Sequence, residues 1–331
     1  MKAQTTDYFA LLPTENDVKV ELTSITTPTG MEFANDLVEN GTYSLEKINS
    51  GGLNIPFRLI PYKITYILNG GTNSEENADW YDIYTQTSIR DPSKTGYTFE
   101  GWTYDGQTTP VKYPNVSITR NSSTGDKTYT ANWVPNTYTV KFDANNGTGT
   151  MNDEHFIYDT EQILTANAFT REYYTFAGWN TKADGTGAAY VDKASIKNLT
   201  DENSGTVTLY AQWKHNLADL TVSKTVSGNY GSKDRYFKFT VDLKDLGASE
   251  TYSLDLSKTS ASTTTNNSTN AVQTNPTTFT TDSSGNATVT VWLKHGESIV
   301  FKDLYEGCTY NITEDPENYT ASNTITPEEG L

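Results

Sequence analysis

Gly96-Tyr-Thr-Phe-Glu-Gly-Trp102 and Tyr173-Tyr-Thr-Phe-Ala-Gly-Trp179 are two copies of one motif, and the central sequence repeats around them. Each copy follows an alternating segment that ends in a glycine turn, and each is followed by a segment that closes on Ala-x-Trp. The second residues of the two motifs are 77 positions apart (174 − 97), and the closing tryptophans, Trp133 and Trp213, are 80 apart (213 − 133). This spacing predicts a tandem repeat of one module.

The motif predicts the packing of its own residues. Alternate side chains of a strand share a face, so the tyrosine, the phenylalanine and the second glycine of each copy lie together. Because glycine has no side chain, an aromatic ring has room to pack directly against its backbone. The glycine also favours a β-bulge, which would turn the motif tryptophan inward. An alternative is an exposed aromatic shelf that binds sugar. The residues predicted to form the module cores are Tyr97, Phe99, Gly101, Trp102, Trp133, Tyr174, Phe176, Gly178, Trp179 and Trp213.

Composition argues against several classes of function. The chain has 41 acidic and 24 basic residues, a net charge of −17, so no basic patch is available to bind nucleic acid. Three scattered histidines and the single Cys308 give no metal-ligand spacing and no internal disulfide, and we expect no cofactor. There is no glycine-rich phosphate loop and no Ser/His/Asp arrangement. The sequence therefore predicts a protein that is not an enzyme.

The apolar segments are short. None approaches the 18 residues of a membrane-spanning helix, so we expect no membrane insertion in this segment. The first residues have no apolar signal-peptide core. We interpret the chain as a piece of a longer, extracellular protein.

The pattern along the chain is mainly β, with short alternating runs separated by turn residues. Connections of a few residues, one of which contains Pro135, predict that the modules stack as a semi-rigid, elongated rod. Four regions are predicted: a partial β domain at 1–61, repeat modules at 62–134 and 135–214, and a β-sandwich at 215–331.

The repeated motif resembles the internalin B-type repeat, also called the Listeria–Bacteroides repeat. The resemblance covers about residues 62–213, and it departs from a strict repeat at Tyr173, where the first copy has Gly96. It implies a small β-grasp-like module strung between other domains of surface proteins, with no catalytic residues. The last region resembles the Ig-like Cna-B or pilin-type sandwich of Gram-positive surface proteins, through the segments 220–226 and 310–315.

Those two segments each direct an ionisable group toward the apolar face of a strand. Lys224 shares a face with Leu220, Val222 and Val226, and Glu314 shares one with Tyr310 and Ile312. An unpaired buried charge is costly, so the two groups suggest each other. An amine beside a carboxyl group can attack an Asn or Asp side chain while the acid moves protons.

In the resembled family these positions hold the linking lysine and the assisting glutamate of an isopeptide bond. We expect the acceptor after Leu331 and therefore no crosslink within this chain. The alternative is that Lys224 is an inward charge that blunts an edge strand and that Glu314 is exposed.

The sequence predicts a stalk segment at the bacterial cell wall surface, whose partners are the neighbouring domains of the same polypeptide. The alternative is a module that binds a glycan or a host protein through its Tyr and Trp side chains. The two hypotheses differ in one observable feature. A binding module exposes its motif tryptophans as a patch, whereas a stalk buries them.

Overall fold

A computed structural model describes residues 29–33, 57–229, 231–259, 263–265, 272–315 and 320–322 of the chain. All its named elements are β-strands, which confirms the prediction of a mainly β fold. None of the described residues belongs to a helix that could cross a bilayer. Most of the region 1–61, predicted as a partial domain, lies outside the described residues.

The described residues form two compact units. One contains the described residues up to Thr139 together with 155–160 and 197–206. The other contains 140–154, 161–196 and the described residues from Val207 onward. Each unit thus includes part of the second predicted module.

The strands up to residue 135 include a short pair and the first module. They are β1 (Met31–Phe33), β2 (Phe57–Leu59), β3 (Tyr62–Ile67), β4 (Trp80–Tyr81), β5 (Thr87–Ser88), β6 (Tyr97–Tyr104), β7 (Ser117–Ile118) and β8 (Lys127–Pro135). The main sheet has the order β4–β3–β8–β6, with β3 parallel to β8 and β6 antiparallel to β8. The motif strand β6 therefore forms one end of this order and packs its rings on Ile64 and Tyr129 in the core.

The second module has a similar series of strands with one more, β13. Its strands are β9 (Thr137–Asp143), β10 (Glu154–Ile157), β11 (Gln162–Ile163), β12 (Tyr174–Asn180), β13 (Ala189–Tyr190), β14 (Ser195–Ile196) and β15 (Gly205–His215). The motif strand β12 pairs antiparallel with β15 on one side and β13 on the other. Phe176 lies opposite Trp213, as Phe99 lies opposite Trp133. The shared register confirms that the two copies occupy equivalent strand positions.

The predicted bulge is present in both copies, where the register shifts between the phenylalanine and the second glycine. Gly101 and Gly178 have φ values of 144° and 136°, which L side chains rarely adopt. The expectation that a ring lies over these glycines is wrong. A Cβ at Gly101 would lie 2.5 Å from the Val111 backbone nitrogen, and one at Gly178 would lie 2.7 Å from the Tyr190 carbonyl oxygen. The missing side chain leaves room for the backbone of a neighbouring segment.

The last region is a two-sheet structure. Its strands are β16 (Leu217–Ser223), β17 (Phe237–Lys244), β18 (Thr251–Asp255), β19 (Thr263–Thr265), β20 (Val272–Thr274), β21 (Thr278–Thr280), β22 (Ala287–Leu293), β23 (Ser298–Tyr305) and β24 (Thr309–Glu314). One sheet has the order β16–β23–β18–β21 and the other β22–β17–β24, while β19 and β20 pair with each other. Phe237, Phe239, Val241 and Leu243 alternate inward from β17 into one continuous core with Phe301.

Candidate functional site

Lys224 and Glu314 come from opposite sheets of the C-terminal region and meet at one edge. Lys224 directly follows β16, an outer strand of one sheet, and Glu314 ends β24, an outer strand of the other. The Lys224 N–H donates to the Glu297 carbonyl at 3.0 Å, and the Lys224 carbonyl accepts from the Gly296 N–H at 2.8 Å. These backbone bonds hold the lysine in place, and its Nζ donates to Oε1 of Glu314.

The pair is largely removed from water, since the lysine side chain is 12% exposed and the glutamate side chain 6%. The ammonium group also lies 4.2 Å from the centroid of the buried Phe237 ring, a cation–π contact. Removing either member would leave the other charge buried without its partner, which is strongly destabilising. The structure thus brings together the two residues singled out in the sequence, and the acceptor predicted beyond Leu331 stays a prediction.

The two motif tryptophans and the two closing tryptophans face the interior of their modules rather than forming a shelf. Trp102 and Trp179 are fully buried. Trp133 and Trp213 are half-buried, and their Nε1 groups donate to the carbonyls of Leu68 and Ala144 at 2.9 Å. Of the remaining predicted core residues, Phe99, Gly101 and Gly178 are buried, while Tyr97, Tyr174 and Phe176 are half-buried.

Asn136 and Asn216, which the sequence argument did not single out, form equivalent joints at the ends of the two modules. The Asn136 N–H donates to the Gly96 carbonyl and the Asn216 N–H to the Tyr173 carbonyl, each at 2.9 Å. The Asn136 carbonyl accepts from the Tyr158 N–H of the second module at 2.8 Å. Each asparagine therefore ties the start of a motif to the domain that follows.

The same arrangement at Asn216 reaches the C-terminal region. Its carbonyl accepts from the Glu306 N–H at 2.9 Å. A side-chain bond completes both joints: Thr98 Oγ1 donates to Asn136 Oδ1 at 2.7 Å, and Thr175 Oγ1 donates to Asn216 Oδ1 at 2.6 Å. The two asparagines are 80 residues apart, the same offset as the closing tryptophans, and this spacing was the signal in the sequence.

An aromatic stack lies beside the second joint. The His215 ring packs between Tyr174 and Tyr305, with both centroid distances 3.8 Å. Burial, and then the positive charge of Arg171, lower the pKa of His215 below 6.5, while Glu250 opposes them. Among the described residues His215 Nδ1 has no hydrogen-bond partner. A neutral imidazole therefore suits this stack.

Comparison with known proteins identifies the repeats. Residues 62–131 and 138–212 both match the Listeria-Bacteroides repeat domain, and residues 218–330 match a domain of unknown function (DUF7601). Both predicted modules thus match the Listeria-Bacteroides repeat domain that the motif resembles. A closer relation to internalin B, and the Cna-B resemblance of the last region, stay predictions.

Two relatives from Evansella cellulosilytica have names that describe membrane proteins. One is 33% identical over 48% of this chain and 23% of its own length. The other, described as Gly-rich, is 35% identical over 39% of this chain and 15% of its own length. The chain therefore spans less than a quarter of the length of these relatives.

Among solved structures, a Streptococcus pyogenes major pilin (T3.2) is 16% identical over 78% of this chain and 83% of its own, with a TM-score of 0.27. A pilus-presented adhesin is 22% identical over 38% of this chain and 26% of its own, with a TM-score of 0.23.

Proposed function

We propose that this chain is a non-enzymatic stalk segment of a bacterial cell-surface protein, which spaces and presents other domains outside the cell wall. The observation that carries the proposal is the repeated joint. Two successive modules end in the same three hydrogen bonds, although one joint leads to another repeat and the other to a different fold. Such a joint restricts rotation between neighbours, which a spacer requires and a free binding module does not.

The position of the aromatic side chains supports the same function. The motif and closing tryptophans are buried or half-buried, and the indole nitrogens of three of the four donate to the backbone of their own module. They stabilise small domains that have a limited core. The alternative, a glycan-binding or host-protein-binding module built on these rings, would need them on the surface.

The experiment replaces residues 62–213 of the full-length protein with an unrelated rigid spacer of equal span and measures surface display and ligand capture by the bacterium. A stalk retains presentation with the substitute spacer and loses it when these residues are deleted without replacement. Loss of capture with the substitute spacer, accompanied by saturable binding of the purified repeats to a glycan or host protein, would establish the alternative.

We further propose that Lys224 and Glu314 form the reactive pair of an isopeptide bond whose acceptor lies beyond Leu331. In this reaction Nζ bonds to the carbonyl carbon of an asparagine carboxamide, the carbon–nitrogen bond of the amide breaks, and ammonia leaves. Glu314 takes a proton from the attacking amine and returns one to the leaving nitrogen. The contact between Nζ and Oε1 and the low exposure of both side chains support these roles.

Intact-mass measurement tests this assignment. The 331-residue chain should have the mass of its residues plus one water, and a longer chain that includes the next strand should be lighter by one ammonia. Lys224→Ala should abolish the deficit in the longer chain, while Lys302→Ala, at an ion pair with Asp219, serves as the control and should keep it. A deficit that survives Lys224→Ala would refute the assignment.

A further inference from the structure

The short pair β1–β2, which precedes both repeats, has the geometry of the end of a repeat. Met31 lies opposite Leu59 and Phe33 opposite Phe57. In the first module the corresponding pairs are Tyr97 with Pro135 and Phe99 with Trp133, and in the second module Tyr174 with His215 and Phe176 with Trp213. All three antiparallel pairs therefore have the same register, counted from Gly30, Gly96 and Tyr173.

One backbone bond of the joint is also repeated. The Ile60 N–H donates to the Gly30 carbonyl at 3.0 Å, as the Asn136 N–H donates to Gly96. The residue that supplies the carbonyl has φ of 76° at Gly30, 73° at Gly96 and 63° at Tyr173. Glycine adopts a positive φ readily, but Tyr173 holds it without being glycine, so the same backbone conformation recurs at one register position in all three strand pairs.

The contact with the following domain repeats as well. A Cβ at Gly30 would lie 2.5 Å from the Ile83 Cβ, and one at Gly96 would lie 2.1 Å from the Tyr158 ring. Ile83 and Tyr158 are equivalent, because each comes two residues after an aromatic residue that packs on the first tyrosine of its module. In each case a glycine that begins a closing strand pair faces a side chain of the module that follows.

At the third joint the two roles are exchanged. Tyr173 supplies the side chain, and a Cβ at Gly307 of the following domain would lie 2.5 Å from its ring. One glycine thus meets one larger side chain at all three joints.

We propose that β1 and β2 are the closing strands of a third copy of the repeat, and that the loop carrying Ile83 or Tyr158 is a docking surface for the end of a preceding copy. The sequences Thr29-Gly-Met-Glu-Phe33 and Thr95-Gly-Tyr-Thr-Phe99 share their threonine, glycine and phenylalanine. The upstream copy departs from the others after this point. It has no Gly-Trp dipeptide after the phenylalanine. The paired residues Met31 and Leu59 are 28 positions apart (59 − 31), whereas the corresponding residues Tyr97 and Pro135 of the first module are 38 apart (135 − 97).

Among the described residues, the upstream joint has the bond from the Ile60 N–H but neither the bond to the following module's N–H nor the side-chain bond. Glu32 and Ile60 occupy the positions of Thr98 and Asn136, so a threonine–asparagine bond cannot form there. Hence the proposal predicts a gain when the missing pair is supplied. Glu32→Thr combined with Ile60→Asn, in the full chain, should slow hydrogen exchange of the residue 60 amide by about three- to tenfold beyond the summed effects of the single variants.

The single variants Glu32→Thr and Ile60→Asn are the controls, and the Asn136 amide should exchange at an unchanged rate in all variants. A second variant tests the docking contact. Gly30→Tyr should accelerate exchange at Ile60 by about tenfold or more, because its side chain meets Ile83. An additive double variant, or an Ile60 amide that exchanges freely in the unmodified chain, would show that β1–β2 is an unrelated hairpin.

Discussion

The two motif tryptophans offer a matched test of what a buried indole N–H contributes. Trp102 and Trp179 are both fully buried at equivalent register positions. Trp102 Nε1 donates to the Arg90 carbonyl at 3.2 Å, whereas Trp179 Nε1 has no hydrogen-bond partner among the described residues. Replacement by phenylalanine removes the same ring atoms from both cores but a satisfied donor from only one.

The difference follows from the hydrogen-bonding groups, because the cost of the lost ring is common to both variants. Trp102→Phe forfeits a hydrogen bond with a net contribution of about 1 kcal/mol. The Arg90 carbonyl keeps a second donor, Asn77 Nδ2 at 3.1 Å, so it is not left unpaired. Trp179→Phe removes an unpaired buried donor, which relieves about 1–3 kcal/mol. Trp102→Phe should therefore cost about 2–4 kcal/mol more free energy of unfolding than Trp179→Phe.

Native-state hydrogen exchange on the full chain measures this difference, because amides of β8 and β15 report separately on the two modules. Trp133→Phe and Trp213→Phe are the controls. Both indoles donate to a backbone carbonyl at 2.9 Å, so their costs should agree. Equal losses for Trp102→Phe and Trp179→Phe, with agreement between the controls, would refute the reasoning.

Three further outcomes are expected. Phe99→Ala should destabilise its module by about 3–5 kcal/mol, and Phe176→Ala by less, because Phe176 is only half-buried; equal losses in urea unfolding would contradict this. The pKa of His215 is lower in the folded protein than its ordinary value of 6.5, so stability should fall as the pH drops from 6.5 toward the folded pKa. Well above pH 6.5 His215 should add no pH dependence. Melting curves of His215→Phe should lack this acid-dependent loss of stability. Glu314→Gln should cost about 3–5 kcal/mol by leaving Lys224 without its counter-ion, while the joint replacement of both residues by apolar ones should be nearly neutral, as denaturant unfolding would show.

The repeat and the strand register could be predicted from the sequence because both depend on local spacing. Tyr97, Phe99 and the glycine bulge are neighbours in one strand, and period-two alternation determines which face each side chain takes. The same rule directed Lys224 and Glu314 toward the interior. Their direct contact depended on tertiary structure, because it required β16 and β24 to be outer strands at the same edge of two different sheets.

Identical motif residues also differ in burial for reasons outside the motif. Phe99 is buried and Phe176 half-buried although both occupy Tyr-Thr-Phe. Only the neighbouring segments distinguish them. The unpaired Nε1 of Trp179 is a similar case, since its counterpart, Trp102 Nε1, donates to the Arg90 carbonyl 12 residues away in the chain.

The joints were the main feature that the sequence argument missed. Asn136 and Asn216 look like ordinary linker residues, and their shared 80-residue offset gains meaning only when both are seen to bond in the same way. By itself the sequence determined which segments are copies and how their strands alternate, since these follow from nearest neighbours along the chain. Tertiary structure decided how each copy meets the next, because Gly96 and Tyr158 come into contact across 62 positions and only through folding.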